Sequence, residues 1–346
     1  MLGREYSRFD RLLHELALGS SAVAEMSFDI EQMLCKPDVE GMEGAPVFVA
    51  GLARAGTTIL LRSLYQSGVF RSLTYRDMPF VLMPTTWRRL SAKFRQDMPA
   101  TERAHGDSIT VDYDSPEAFE EVFWRVFYGR DYIFDDHLAP HRLNPAAREQ
   151  FRRYVASVVG SVQGDGGARY LSKNNNNLLR LSGLQQAFPD ATVIVPFREP
   201  LQHALSLWRQ HRNFSAIHTA DAFALKYMNW LGHYEFGLNH KPFRLAGQTL
   251  PAASPDAVEY WLAQWIHAYN HALDCDQGGT VFLSYEDLCD DPDGVLARLM
   301  TLLDAPYRES IGSRIAPLAG HAAEAVDEPV LVAARQTYQR LLAAKF

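Results

Sequence analysis

Between Val47 and Leu61 the chain reads VFVAGLARAGTTILL, an order of residues that few folds accommodate. The opening apolar run is too short for a membrane span and predicts a buried strand. Gly51 to Thr58 then form a glycine-bounded loop, and Ile59, Leu60, Leu61 and Leu64 recur at helical spacing. Strand, loop and helix in this order suit an anion. Glycines let several N–H groups converge on one centre, and a helix N-terminus adds unpaired N–H groups and a positive dipole end. Thr57 and Thr58 stand where an N-cap is expected and can lend hydroxyls. Arg54 adds a cation with a forked donor set. The expected ligand is of phosphate or sulfate type. The motif is close to G-x-x-x-x-G-K-[ST], but Thr57 occupies the place of the lysine that reaches the β- and γ-phosphates. That departure argues against an ATPase or kinase. The plain alternative is an ordinary strand-to-helix turn with capping threonines.

Downstream, strand and helix signals alternate. Residues 5–35 read as amphipathic helix, with Phe9, Leu12, Leu13 and Leu16 at helical spacing, and are expected to pack on the main domain. Ser115-Pro116-Glu117 predicts a helix start with a serine cap and proline at the first turn. A further helix is expected from Pro145 to Val162. Tyr170 to Lys173 predicts a short strand running into Asn174–Asn177. Ala191 to Phe197, the most β-branched run, predicts a central strand ending in Arg198, with a helix opening at Leu201. Residues 211–256 lack clear periodicity but are rich in aromatics and histidine, as a lid, a substrate-facing insertion or a packed helical cap would be. A helix from Pro255 to Leu273, a strand from Thr280 to Tyr285 and a terminal helix from Val330 to Leu342 complete the reading.

This alternation predicts an α/β fold with a central parallel sheet and helices on both faces. Ligands bind at the carboxyl ends of strands in such sheets. The rule brings Arg54, Lys173, Arg198 and Tyr285 together, and three cations at one sheet edge call for a ligand with several negative charges. The formal charge of −7 gives no case for a nucleic-acid polymer as partner. Cys35, Cys275 and Cys289 show no metal-ligand spacing and read as reduced thiols. The charged N-terminus does not read as a signal peptide, and no run reaches the roughly 20 apolar residues of a membrane helix. A cytoplasmic, soluble protein is expected, with no metal.

Together these elements resemble the PAPS-dependent sulfotransferases, a P-loop-like family whose first loop, [K/R]-[S/T]-G-T-T, cradles the 5′-phosphosulfate of 3′-phosphoadenosine 5′-phosphosulfate (PAPS). Arg54-Ala55-Gly56-Thr57-Thr58 matches it, with Ala55 replacing the usual Ser or Thr. Arginine at the first position looks like the tyrosylprotein branch and bacterial members. The family binds the 3′-phosphate through an arginine at a strand end and a serine eight residues on, as Arg198 and Ser206 are spaced. Lys173 matches the family's catalytic lysine, and SYEDL matches its YEDL stretch, which places Tyr285 near the nucleotide. The resemblance covers about 45–75 and 168–305. One domain is expected, with that core, an N-terminal helical segment at 1–44, and helical or acceptor-side insertions at 86–160 and 210–256 that carry no family pattern. The resemblance also implies PAPS as co-substrate and a small-molecule, glycan or peptide acceptor. The alternatives are a P-loop kinase or a non-catalytic nucleotide sensor.

The acceptor's proton needs a base. Cytosolic members use a histidine two residues after the lysine, where this chain has Asn175. The tyrosylprotein branch uses a glutamate shortly after the first helix. Asp77 lies in the comparable region here, and His105 is the second candidate.

Overall fold

The computed structural model describes residues 8–92, 101–102, 110–161, 168–245, 253–307 and 326–346. Two helices, α1 (Arg8–Gly19) and α2 (Ser21–Cys35), precede the first strand, β1 (Val47–Val49), and the loop helix, α3 (Thr57–Tyr65). Then come β2 (Phe70–Arg71), α4 (Pro84–Ser91), a small antiparallel pair β3 (Thr101–Glu102) and β4 (Thr110–Val111), α5 (Glu121–Tyr132) and α6 (Pro145–Val159). The second half runs β5 (Arg169–Lys173), α7 (Leu181–Ala187), β6 (Thr192–Phe197), α8 (Pro200–Ala220), α9 (Ala222–Leu231), α10 (Val258–Cys275), β7 (Thr280–Ser284), α11 (Tyr285–Asp290), α12 (Pro292–Leu302) and α13 (Glu328–Ala344).

Five strands form one parallel sheet in the order β2-β5-β1-β6-β7. Alternate side chains of each strand enter different cores. Val47, Val49, Leu171, Ile194 and Leu283 pack with Leu60 and Leu64 of α3 and Val295 and Leu299 of α12. Phe48, Tyr170, Val193, Val195 and Phe282 pack on the other face with Phe123 of α5, Phe151 of α6 and Trp265 of α10. Burial on both faces explains why these strands read as continuous apolar runs. Parallel pairing aligns the strand ends: Val49 stands opposite both Lys173 and Ile194. The loops after β1, β5 and β6 therefore open onto one edge.

Three expectations change. The helix does not start at Pro116. Pro116 bridges Thr74, and the Glu117 N–H donates to Leu73 O, so this segment extends the β2 end and α5 begins at Glu121. Residues 211–231 are helical rather than aperiodic. α8 continues to Ala220 and α9 follows after the Asp221 cap, with Phe214 and Met228 buried in a separate core against Trp261. On α1 the buried residues are His14, Ala17 and Leu18, while Phe9, Leu12 and Leu16 are exposed. The helix lies against α2 and α9 through the face that the periodicity did not mark.

Candidate functional site

The loop after β1 is shaped by two residues with left-handed backbone, Arg54 (φ 72°) and Gly56 (φ 85°). Only glycine adopts that region without cost, so Arg54 carries local strain of the kind that clusters at ligand clamps. Gly56, not a threonine, is the N-cap of α3, which corrects the sequence expectation. Thr57 and Thr58 are its first two residues, both buried. The first intrahelical bond there runs from Leu60 N–H to Gly56 O. The amides of residues 57–59 precede it and face the helix entrance, where an anion can accept them. Ala55 is buried between the two bent residues.

Gly56 is also required by its neighbour. A Cβ on it would stand 2.7 Å from Cδ2 of Tyr285. Tyr285 opens α11 directly after β7, and the Arg198 guanidinium lies over its ring, 5.3 Å from the centroid. Burial pushes the Tyr285 hydroxyl up to about 12, so it stays protonated at neutral pH. Arg198, one residue past β6, is 3% exposed, and one terminal nitrogen donates to Arg54 O at 3.5 Å. Its Nε is buried without an acceptor among the described residues. A buried guanidinium with an orphaned donor is costly unless an anion meets it. Arg54 Nε donates to Ser206 Oγ (3.4 Å), so α8 joins the loop. His203, one turn earlier on α8, shares a 2.8 Å hydrogen bond with Ala53 O. Burial, with the Arg198 and Arg54 charges, drives its pKa to about 3. His203 is therefore neutral and donates from Nε2.

Lys173 ends β5 and is 8% exposed. The next residues form a tight turn braced by hydrogen bonds. Asn174 N–H donates to Val49 O, and its side chain donates to Glu121 (2.7 Å) and Glu120 (3.2 Å). Glu121 in turn pairs with Arg180 at 2.8 Å, both fully buried. The asparagine run is thus a scaffold behind the lysine. Asn175 differs: its Nδ2 donates to Glu235 Oε1 at 2.9 Å.

Arg54, Ala55, Gly56, Thr57, Thr58, Lys173, Arg198, Ser206 and Tyr285 thus meet at the carboxyl ends of β1, β5, β6 and β7. Asp77 does not take the role expected of it. It is fully buried in the turn after β2, with Arg71 Nη2 at 2.9 Å, Arg88 Nε at 2.7 Å and the Thr74 N–H at 2.7 Å. Burial alone would raise its pKa, but the two arginines and Thr74 outweigh it and hold the carboxyl below its usual value. A carboxylate so engaged and so far from solvent is an anchor, not a proton acceptor. His105 lies outside the described residues. Sequence reasoning missed His233 and Glu235. His233 Nδ1 lies 3.3 Å from Glu235 Oε1. They fall within the histidine-rich stretch already noted, but no spacing ties them to Lys173, which only the fold brings close.

A cleft borders this edge, running from Leu52 and Ala53 of the loop past Asn175 and Glu235 to Phe243 and Trp261. Among the described residues no helix is long and apolar enough to cross a membrane.

Solved structures share the fold. A sulfotransferase from Mycobacterium avium superposes with a TM-score of 0.53 at 17% identity, covering 99% of this chain and 87% of its own. One from Mycobacterium tuberculosis H37Rv gives 0.50 at 14% identity, covering 89% and 80%. No curated protein matches the sequence significantly. The sequence profile of the sulfotransferase family matches residues 46–241, more than half of the chain, from the loop after β1 past α9. The chain belongs to the sulfotransferase family.

Proposed function

We propose that the protein transfers the sulfuryl group of PAPS to a hydroxyl or amine, releasing adenosine 3′,5′-bisphosphate. The observation that carries this reading is the meeting of Arg54, Lys173 and Arg198 at three adjacent strand ends around the α3 N-terminus. The residues fit the donor's two anionic ends. Arg198, with its orphaned Nε, and Ser206 would hold the 3′-phosphate. The bent loop and the first amides of α3 would hold the phosphosulfate, with the Thr57 and Thr58 hydroxyls beside them. PAPS supplies an electron-poor sulfuryl group on a phosphate leaving group. Arg54 and Lys173 place positive charge where the departing phosphate oxygen gains negative charge, and catalysis is then mainly positioning and electrostatics. Tyr285 stacks under Arg198 and fixes its direction.

The kinase alternative would need a lysine at Thr57 and a magnesium-binding Asp at the end of β6, where the chain has Thr57 and Arg198. Thermal unfolding tests the choice. With adenosine 3′,5′-bisphosphate at about 100 times its Kd, linkage adds about 2.7 kcal/mol, which raises Tm by about 4 °C for a chain of this size. The rise should appear without Mg²⁺, and ADP, which lacks the 3′-phosphate, should give little. Equal rises with ATP that need Mg²⁺ would contradict the reading.

A further inference from the structure

The cleft beside the loop is mostly apolar, walled by Leu52, Leu207, Phe236, Phe243 and Trp261, yet three of its lining residues carry orphaned polar atoms. Asn175 Nδ2 donates to Glu235, so its Oδ1 is left as an acceptor. Asn176 Nδ2 donates to Gly232 O, and its Oδ1 is likewise left over. Gln264 Oε1 accepts from the Phe243 N–H at 3.0 Å, which leaves its Nε2 as a donor. In each case the occupied half of the amide fixes which half is left. All three side chains are more than nine-tenths buried and have no further partner among the described residues. Buried polar atoms are nearly always satisfied, and here three unsatisfied ones border one cleft.

Glu235 lines the same cleft. Both hydrogen bonds it accepts, from His233 and Asn175, end on Oε1. Oε2 takes no protein donor among the described residues. Asn175 links this carboxylate to the turn that follows Lys173, so the cleft, the carboxylate and the lysine are adjacent. His240, also in the wall, is satisfied on both nitrogens, by Tyr234 O and the Tyr260 hydroxyl, and offers nothing further.

We propose that this cleft is the acceptor site, that it takes a compact neutral alcohol or phenol with an apolar body and a second polar oxygen, and that Glu235 Oε2 receives the proton of the reacting hydroxyl. This rests on the sulfotransferase reading above. The acceptor's body packs against Leu207 and Trp261, its hydroxyl donates to Glu235, and its second oxygen accepts from Gln264 Nε2. In the reaction the acceptor oxygen–sulfur bond forms and the bond from sulfur to the 5′-phosphate oxygen breaks. The bonding pair leaves on that phosphate oxygen, and the hydroxyl proton passes to Glu235. Burial would raise the Glu235 pKa, but His233, Lys173 and Asn175 outweigh it and hold it at about 2. That weak basicity is enough, because an oxygen that has bonded to sulfur while still protonated is a far stronger acid than a free hydroxyl.

Calorimetry with methyl 4-hydroxybenzoate and 4-ethylphenol tests this, on protein with and without adenosine 3′,5′-bisphosphate, alongside transfer from PAPS followed by mass spectrometry. Both phenols should bind. Leu207→Trp, which fills the cleft, should weaken both at least tenfold while leaving nucleotide affinity unchanged. Gln264→Met should weaken only the ester. Glu235→Gln should keep nucleotide and phenol binding and lower transfer by about 10²–10⁴-fold, the usual contribution of a positioned base. Failure of methyl 4-hydroxybenzoate to bind, indifference to Leu207→Trp, or wild-type transfer by Glu235→Gln would overturn the proposal. Failure of the donor reading shows separately, as loss of nucleotide binding with phenol binding still measurable.

Discussion

Gly56 is held to its identity twice, by a φ of 85° and by the Tyr285 ring 2.7 Å from where a Cβ would sit. Gly56→Ala should therefore cost about 1–3 kcal/mol in urea unfolding. It should also weaken adenosine 3′,5′-bisphosphate binding about tenfold, because the ring it displaces lies under Arg198. Asp77 is held as firmly for a different reason. Asp77→Asn leaves Arg71 and Arg88 without their counter-charge, a loss of about 3–5 kcal/mol at pH 7. The Asp77 carboxyl has a lowered pKa in the folded protein, so its contribution is complete above the ordinary carboxylate value near pH 4. It is lost as pH falls through the folded value. The stability gap between wild type and Asp77→Asn should be constant from pH 8 to 5 and narrow only below about pH 4. A gap that closes near neutrality would contradict the assignment of Asp77 as a buried anchor. The need for glycine in the loop was visible in the sequence, but the anchoring role of Asp77 was not. TYRDMP looks like a turn with an available acid, and the arginines that bury Asp77 are fixed by the fold of β2 and α4.

At the level of elements, two pieces of chain do most of the positioning. α8 carries Ser206 toward Arg54 and Leu207 toward the cleft, so one helix borders both the anion loop and the cleft. The turn after β5 holds Lys173 through Asn174, Asn177 and the buried Arg180–Glu121 pair. Arg180→Met strands Glu121 in the core and should cost about 3–5 kcal/mol. Arg180→Met with Glu121→Gln should recover part of that loss, measured by urea unfolding, because the uncompensated charge is then gone. If the double variant is no more stable than the single, the pair is not the reason for the cost. The strands, the loop helix and the strand-end cations were legible because β-branched runs, glycines and the Arg198–Ser206 spacing are local signals. The face of α1, the start of α5 and the helical nature of 211–231 were not. Each depends on a partner distant in sequence: α9 for α1, Leu73 for the Glu117 segment, and the Trp261 core for α8 and α9.

For the molecule as a whole, the parallel sheet turns four separated sequence stretches into one site. Its order, β2-β5-β1-β6-β7, puts β1 between β5 and β6, so that Arg54 is flanked by the ends carrying Lys173 and Arg198. The donor side was readable because each of its residues sits just past a predicted strand and the topology rule joins them. The proposed acceptor side was not, because Glu235, Asn175, Leu207 and Gln264 share no motif and meet only through packing. The central claim is that this edge holds a nucleotide with a 3′-phosphate. The most direct measurement is a metal-free calorimetric titration with adenosine 3′,5′-bisphosphate, on wild type and on Arg198→Ala. A hydrogen bond to a charged group contributes about 1.5–3 kcal/mol, so the variant should bind about 10–100 times more weakly. ADP should show no such difference between the two proteins. Equal affinity of wild type and Arg198→Ala for adenosine 3′,5′-bisphosphate, or a binding step that needs Mg²⁺, would contradict the account.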